Sequence, residues 1–250
     1  IYGMSSIVGK FLNYLLVPLH TAVLSVASGE YGVVSNMYAF TALMMILLTF
    51  GMETGFFRFA NKSDEDPMKV YANALIYAEA LWGAGRNAGS VLGFTLGTGI
   101  GCAWINGGKV WRGHSGCAGE VWTSPYKEGI LEDYVSGNAV TRLYKEYTKE
   151  ELPAYRIAEL ARSGDKMALQ VWDVFAQALA HALSWTVNIT DPEIVIIGGS
   201  VLKSSDLYWD KAEWLFRKFI CRSADRHITL LPAALGDNAG FIGAAALILK

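Results

Sequence analysis

Hydrophobic and polar positions along this chain fall into two unlike regimes that meet near Val70. Phe11 to Gly29 runs 19 residues without a formal charge, and Tyr31 to Met52 runs 22. About 20 mainly apolar residues suffice for a helix to cross a hydrocarbon core, so residues 1–60 are predicted to hold two apolar, transmembrane-like helices. The second stretch is the stronger span, being almost wholly apolar from Tyr38 onward. The first contains Asn13, Pro18, His20 and Thr21, which are costly against lipid and better placed against a neighbouring helix or a watery cavity. A pair of core helices in a soluble protein is the alternative reading. Asn61 to Pro67 is polar, charged and closed by proline, as in a solvated loop, and residues 61–71 read as linker and junction.

From Ala72 to Lys250 the pattern changes to an α/β rhythm. Ala72 to Gly83 predicts a helix that stops at the Gly83-Ala84-Gly85 breaker. Val91 to Leu96 predicts a buried strand, and Cys102 to Ile105 a second one after a glycine-rich turn. Asn106-Gly107-Gly108 is a hairpin signal leading to Lys109-Val110-Trp111. Helical periodicity dominates from about Leu131 to Asp191. Its longest piece, Met167 to Ile189, has Val171, Val174, Phe175, Leu179 and Leu183 on one face and Asp165 as its N-cap. Glu193 to Ile197 predicts another buried strand, and Gly240 to Leu249 a closing helix.

Charge sharpens the seam. Residues 1–60 hold only Lys10, Glu30, Glu53 and Arg58, so 40 of the 44 charged side chains lie beyond them. A net charge of −2 with no lysine or arginine run argues against a nucleic-acid partner. Cys102, Cys117 and Cys221 are odd in number, widely spaced and without zinc-ligand spacing, which points to a reducing cytoplasm for this part of the chain. No signal peptide is visible, and a start at Ile1 rather than Met is read as a fragment.

Three motifs carry candidate chemistry. Leu96-Gly97-Thr98-Gly99-Ile100-Gly101 sits between two strands, which counts against a dinucleotide fold. Its glycines let backbone N–H groups converge on an anion, with the Thr98 hydroxyl as a further donor. A plain hairpin turn is the alternative. Val195-Ile196-Ile197-Gly198-Gly199-Ser200 runs a strand into paired glycines, allowing close backbone approach to a flat ligand or simply tight strand-to-helix packing. Gly113 to Glu120 is followed twelve positions later by Glu132, and ionised carboxylates suit sugar hydroxyls because each accepts several hydrogen bonds.

Two resemblances follow. Ser5 to Tyr14, Gly29 to Val34 and Gly51 to Phe59 resemble the start of bacterial polysaccharide flippases, over about residues 1–71. The three motifs above, taken in order with Pro232 to Ala245, resemble the ROK family of sugar kinases and repressors from about Ala72 to Lys250. That resemblance implies the C-terminal lobe of an actin-like, ribonuclease-H-like ATPase fold. It implies ATP with Mg²⁺ and a hexose as ligands, with Gly97, Thr98 and Gly99 at the ATP phosphates and Gly198 and Gly199 at the adenosine. It also places Asn73, Glu120 and Glu132 at the sugar hydroxyls. The implied location is cytoplasmic for this lobe, and the inner membrane if residues 11–52 insert; a homo-oligomer stays open.

The family pattern also breaks. The resemblance puts an asparagine and a catalytic aspartate where this chain has Val70 and Tyr71. A phenol, ordinarily titrating near about 10, does not replace a carboxylate base at neutral pH, and loss of a general base costs on the order of 10²- to 10⁴-fold in rate. No Asp-x-Gly-Gly-Thr phosphate loop is found in residues 1–70. Thr123 stands where many relatives carry a zinc-binding histidine, and Ser124 to Gly129 contains no cysteine, so no metal ligand is expected. These features predict a truncated hexose kinase, glucokinase- or fructokinase-like, that is weak or inactive. The rival readings are a flippase membrane fragment and a non-catalytic sugar-binding protein. The switch between Tyr71 and Ala72 points to a gene fusion or a join made in sequence assembly, the join being preferred.

Overall fold

A computed structural model of the chain describes residues 32–40, 67–240, 242 and 243. The chain divides into two compact units, Ile1–Met52 and Glu53–Lys250. In the first unit residues 32–40 are helical, with Val33, Met37 and Phe40 exposed. No helix among the described residues is long and apolar enough to cross a membrane. Apart from residues 32–40, the two apolar helices expected before residue 60 lie outside the described residues, as does most of the junction at 61–71.

The second unit is built on a five-stranded sheet. Its strands are β1 (Ser90–Leu96), β2 (Ile100–Asn106), β3 (Lys109–Val110), β6 (Ile194–Gly198) and β7 (Thr229–Pro232). The order is β3-β2-β1-β6-β7, with β1, β2 and β3 joined as antiparallel hairpins and β6 and β7 added in parallel. Two short strands, β4 (Pro125–Tyr126) and β5 (Gly129–Ile130), form a separate hairpin. Side chains on β1 alternate between two cores. Leu92, Phe94 and Leu96 join one cluster and Val91 the other, as a period of two requires. Both faces of the sheet are covered, which is why β1 and β6 read as continuous apolar runs rather than alternating ones.

Helix α1 (Pro67–Trp82) covers one face through Leu75, Ile76 and Tyr77, against Val91, Ala103, Ile105 and Ile196. It begins five residues before the expected start at Ala72. Proline is well suited to the first helical position, where its missing N–H costs nothing. The helix stops where the Gly83 and Gly85 N–H groups both donate to the Glu79 carbonyl, at 3.0 Å each.

The other face carries α2 (Gly137–Thr148), α3 (Ala154–Arg162), α4 (Lys166–Thr190), α5 (Trp209–Phe219) and the single turn α6 (Arg222–Asp225). Leu131–Asp133 is a 3₁₀ turn, so the expected helical run from Leu131 resolves into this turn and three helices. Asp165 caps α4 as expected, accepting from the Ala168 N–H at 2.8 Å. Val171, Phe175, Leu179 and Leu183 are fully buried, and Phe175 meets the rings of Trp172 and Tyr208 at 5.4 and 4.9 Å. The β2–β3 turn has positive φ at both Gly107 and Gly108, the geometry a two-residue hairpin demands. The expected closing helix is described only at residues 239–240 and 242–243, which are helical.

His114 lies in a bend, His227 is exposed, and His181 sits on α4. The His181 ring stacks on Phe219 at 4.7 Å and tilts against Tyr126 at 5.5 Å. Burial, and secondarily the nearby Lys127 charge, hold its pKa below the ordinary value. The unfolded chain, with its histidine near about 6.5, therefore takes up the proton first. Stability is complete above about pH 6.5 and declines as pH falls below it. Urea midpoints at about pH 7.5 and about pH 5.5 will differ in that direction, and His181→Phe will shrink the difference. An unchanged difference in the variant would assign the acid sensitivity elsewhere.

Candidate functional site

Parallel pairing of β1 with β6 sets Thr95 opposite Gly198, so both strands end at the same edge of the sheet. Ligands of open α/β sheets bind outside such strand ends. A cavity of about 730 Å³ opens there, lined by the turn after β1 (Gly97, Thr98, Gly99) and by Gly199, Ser200, Leu202 and Lys203 after β6. Leu75, Ala233, Gly236 and Ala239 form its apolar wall, and Tyr71 on the first turns of α1 stands at it with 39% of its surface exposed.

The Gly97–Gly99 turn leaves two of its three amides without an acceptor among the described residues. Its carbonyls are occupied. The Gly97 oxygen accepts from the Gly137 N–H at 2.7 Å, the Thr98 oxygen from Asn138 N–H at 3.4 Å, and the Gly99 oxygen from Gly97 N–H at 2.9 Å. Among the described residues, the Thr98 and Gly99 N–H groups have no hydrogen-bond acceptor. Two adjacent free amides beside a hydroxyl make an anion cradle. Gly199, at φ 96°, opens the 3₁₀ helix Ser200–Leu207, and a Cβ there would overlap the Leu96 carbonyl; only glycine permits that approach.

A second cavity, about 480 Å³, adjoins the first by sharing Thr98 and Gly99. It is lined also by Trp122, Glu132, Asp133, Ser136, Asn138 and Arg142. An aromatic plane beside carboxylate, amide and guanidinium groups matches the mixed apolar and hydroxyl-bearing surface of a sugar. Ser136 secures this wall twice: its oxygen accepts from the Ala139 N–H at 2.9 Å as the N-cap of α2, and its hydroxyl donates to the Glu132 carbonyl at 3.0 Å. Asp133 accepts from Ile130 N–H at 2.9 Å, fixing the 3₁₀ turn that carries Glu132.

The expected site residues are thus distributed unevenly. Gly97, Thr98, Gly99 and Gly199 line the larger cavity, together with Tyr71, and Glu132 lines the smaller. Gly198 is buried in the strand end behind Gly199. Asn73 is half-buried on α1, and Glu120 half-buried at the cap of the 3₁₀ turn Val121–Thr123; neither is among the residues lining the two cavities. Among the described residues, no carboxylate lines the larger cavity and no three His, Cys, Asp or Glu come together as a metal site. Mg²⁺ takes oxygen ligands in octahedral array and draws part of its shell from water and substrate phosphates, so the described lining residues supply no carboxylate to it.

Sequence reasoning missed Trp122, Arg142, Lys203 and Glu79. Glu79 is wholly buried, and its carboxylate accepts from three backbone amides: Ala84 at 2.9 Å, Ala234 at 3.1 Å and Leu235 at 2.8 Å. It ties α1 to the loop whose Ala233 and Gly236 wall the larger cavity. The available signal was a single acid inside the otherwise apolar run Ala74 to Trp82.

The family model described as "ROK family" matches residues 65–250, starting seven residues before the expected boundary at Ala72. Among curated proteins the chain is similar to the glucokinase of Thermotoga maritima, 30% identical over 71% of this chain and 63% of that protein. It is also similar to the N-acetyl-D-glucosamine kinase of Vibrio parahaemolyticus, 31% identical over 72% and 65%. The chain thus spans a little under two thirds of the length of these relatives. Among solved structures it resembles the ROK hexokinase from Thermus thermophilus, with a TM-score of 0.66 at 30% identity over 72% of this chain and 64% of that one. It also resembles a ROK family glucokinase from Streptomyces griseus in complex with glucose and AMPPNP, at 0.62 and 30%, over 70% and 65%. None of these matches carries the flippase resemblance of residues 1–71.

The Glu79 arrangement yields a direct expectation. Glu79→Ala takes the acceptor from three backbone donors, half-buried at Ala84 and Leu235 and exposed at Ala234, and an unmet buried donor costs about 1–3 kcal/mol. We expect a loss of at least about 2 kcal/mol in urea unfolding, and an effect below about 0.5 kcal/mol would mean that water or relaxation replaces the carboxylate.

Proposed function

The chain belongs to the ROK family, and from that membership we propose that its second unit binds ATP and a hexose as a sugar kinase of weak phosphoryl-transfer activity. The observation that carries the reading is the pair of adjoining cavities that share the Thr98–Gly99 amides. In this reading the nucleotide lies in the larger cavity, its phosphates on those amides and the Thr98 hydroxyl. Lys203 adds positive charge, and the base rests on the wall formed by Leu75, Leu202, Ala233 and Ala239. Residues of that kind favour a flat apolar group next to an anion.

The hexose occupies the smaller cavity, its apolar face against Trp122 and its hydroxyls toward Glu132 and Asn138. Asn73 and Glu120 join it on the strength of the family resemblance. That arrangement brings a sugar hydroxyl and a terminal phosphate to the two sides of one turn. Transfer would form a bond from the 6-hydroxyl oxygen to phosphorus and break the bond to the departing ADP oxygen. Positioning and charge stabilisation supply most of the catalysis in such reactions. The hydroxyl proton needs an acceptor, and Tyr71 stands where the resemblance puts the aspartate that takes it. Weak transfer with retained binding follows from that substitution. Tyr71 equally supports a second reading, a sugar-binding protein without catalysis.

Glucose-dependent ADP release by the purified chain separates the two readings, alongside calorimetric titration with AMPPNP and with glucose. Saturable binding of both ligands is expected, with slow turnover. Tyr71→Asp should raise turnover by about 10²-fold, the usual worth of a placed general base. Absence of binding to either ligand would overturn the proposal. Turnover already at the level of the variant would show that another group takes the proton.

A further inference from the structure

Glu132 touches the phosphate turn as well as the smaller cavity. Its Oε1 accepts a hydrogen bond from the Ile100 N–H at 3.1 Å, the first amide of β2 and the one directly after Gly99. The contact is close enough that a Cβ at Gly99 would overlap the same carboxylate oxygen. The backbone of Glu132 is fixed independently, through the Ser136 hydroxyl on its carbonyl and the Asp133 carboxylate on the Ile130 amide. One carboxylate therefore spans from a rigid 3₁₀ turn to the hinge of the anion cradle, and its other oxygen is available to a ligand in the cavity it lines.

We infer that Glu132 is a positioning residue that couples the two cavities: hydroxyls bound to it hold its carboxylate on Ile100 N–H, and this stiffens the Thr98–Gly99 turn for phosphate. The inference rests on the proposed ATP and hexose reading. Its physical basis is that a side chain with several rotamers pays entropy to hold one hydrogen bond, and a ligand on the same carboxylate removes that cost before the nucleotide arrives. The coupling is reciprocal by thermodynamic necessity, so each ligand tightens the other.

The test uses the full chain, with AMPPNP and glucose as probes. Titration calorimetry is run for AMPPNP with and without saturating glucose, on the wild type, Glu132→Ala and Glu132→Gln. Glucose should tighten AMPPNP by at least about five-fold in the wild type. Without glucose, Glu132→Ala should bind AMPPNP about ten-fold more weakly, because the Ile100 amide loses its acceptor. Glu132→Gln, whose neutral amide oxygen can still accept from Ile100 but more weakly than a carboxylate, should bind AMPPNP between the wild type and Glu132→Ala. The Ile100 amide resonance in a ¹H–¹⁵N spectrum of the wild type should shift when glucose is added, a readout that needs no variant to fold. Equal AMPPNP affinity in wild type and Glu132→Ala, or an Ile100 resonance that ignores bound glucose, overturns the coupling. A wild-type chain that binds no AMPPNP at all overturns the parent reading, and the coupling with it.

Discussion

The site depends on the parallel pairing of β1 with β6, two strands about a hundred residues apart in sequence. Their register ends both at one sheet edge, with Thr95 opposite Gly198. Each strand then runs into glycine, so two turns that are unremarkable apart become facing walls of one cavity. A slip of one residue in that register would invert every side chain of β6, moving Val195 and Ile197 out of the large core. The apolar patterning that builds the core therefore also fixes the mouth of the cavity. Fold and site share a single constraint.

Around that edge the protein spends buried polar groups on position rather than on bulk stability. Glu79 uses its carboxylate to meet three backbone amides and so sets the distance between α1 and the Ala233–Gly236 wall. Ser136, Asp133 and Glu132 form a similar chain beneath the smaller cavity. The carbonyls of residues 97–99 are taken by backbone donors, while the Thr98 and Gly99 amides have no acceptor among the described residues. Buried polar groups of this kind are expensive unless every member is satisfied, which restricts them to places where geometry matters.

Much of this was legible before the structure, and the reasons are local. The hairpin at Gly107-Gly108, the Asp165 cap and the strands around the glycine turns are written in spacings of a few residues. The start of α1 was harder, because Pro67 follows a polar stretch that reads as a linker in sequence and yet begins the helix. Trp122, Arg142 and Lys203 escaped notice because each reaches a cavity only through folding, and a lone tryptophan or basic side chain carries no spacing signal. Glu79 meets partners 155 and 156 residues away, beyond any local pattern. Tyr71 was singled out by comparison with a family motif, and the structure places it at the wall of the larger cavity.

The account stands on the claim that the ends of β1 and β6 together bind a nucleotide. Amide hydrogen exchange of the intact chain, with and without AMPPNP, tests it most directly. Slower exchange is predicted at residues 97–101 and 199–203, the two turns that face each other, with little change in α5 and α6, which line neither cavity. Protection confined to other segments, or none at either turn under saturating nucleotide, would contradict the account.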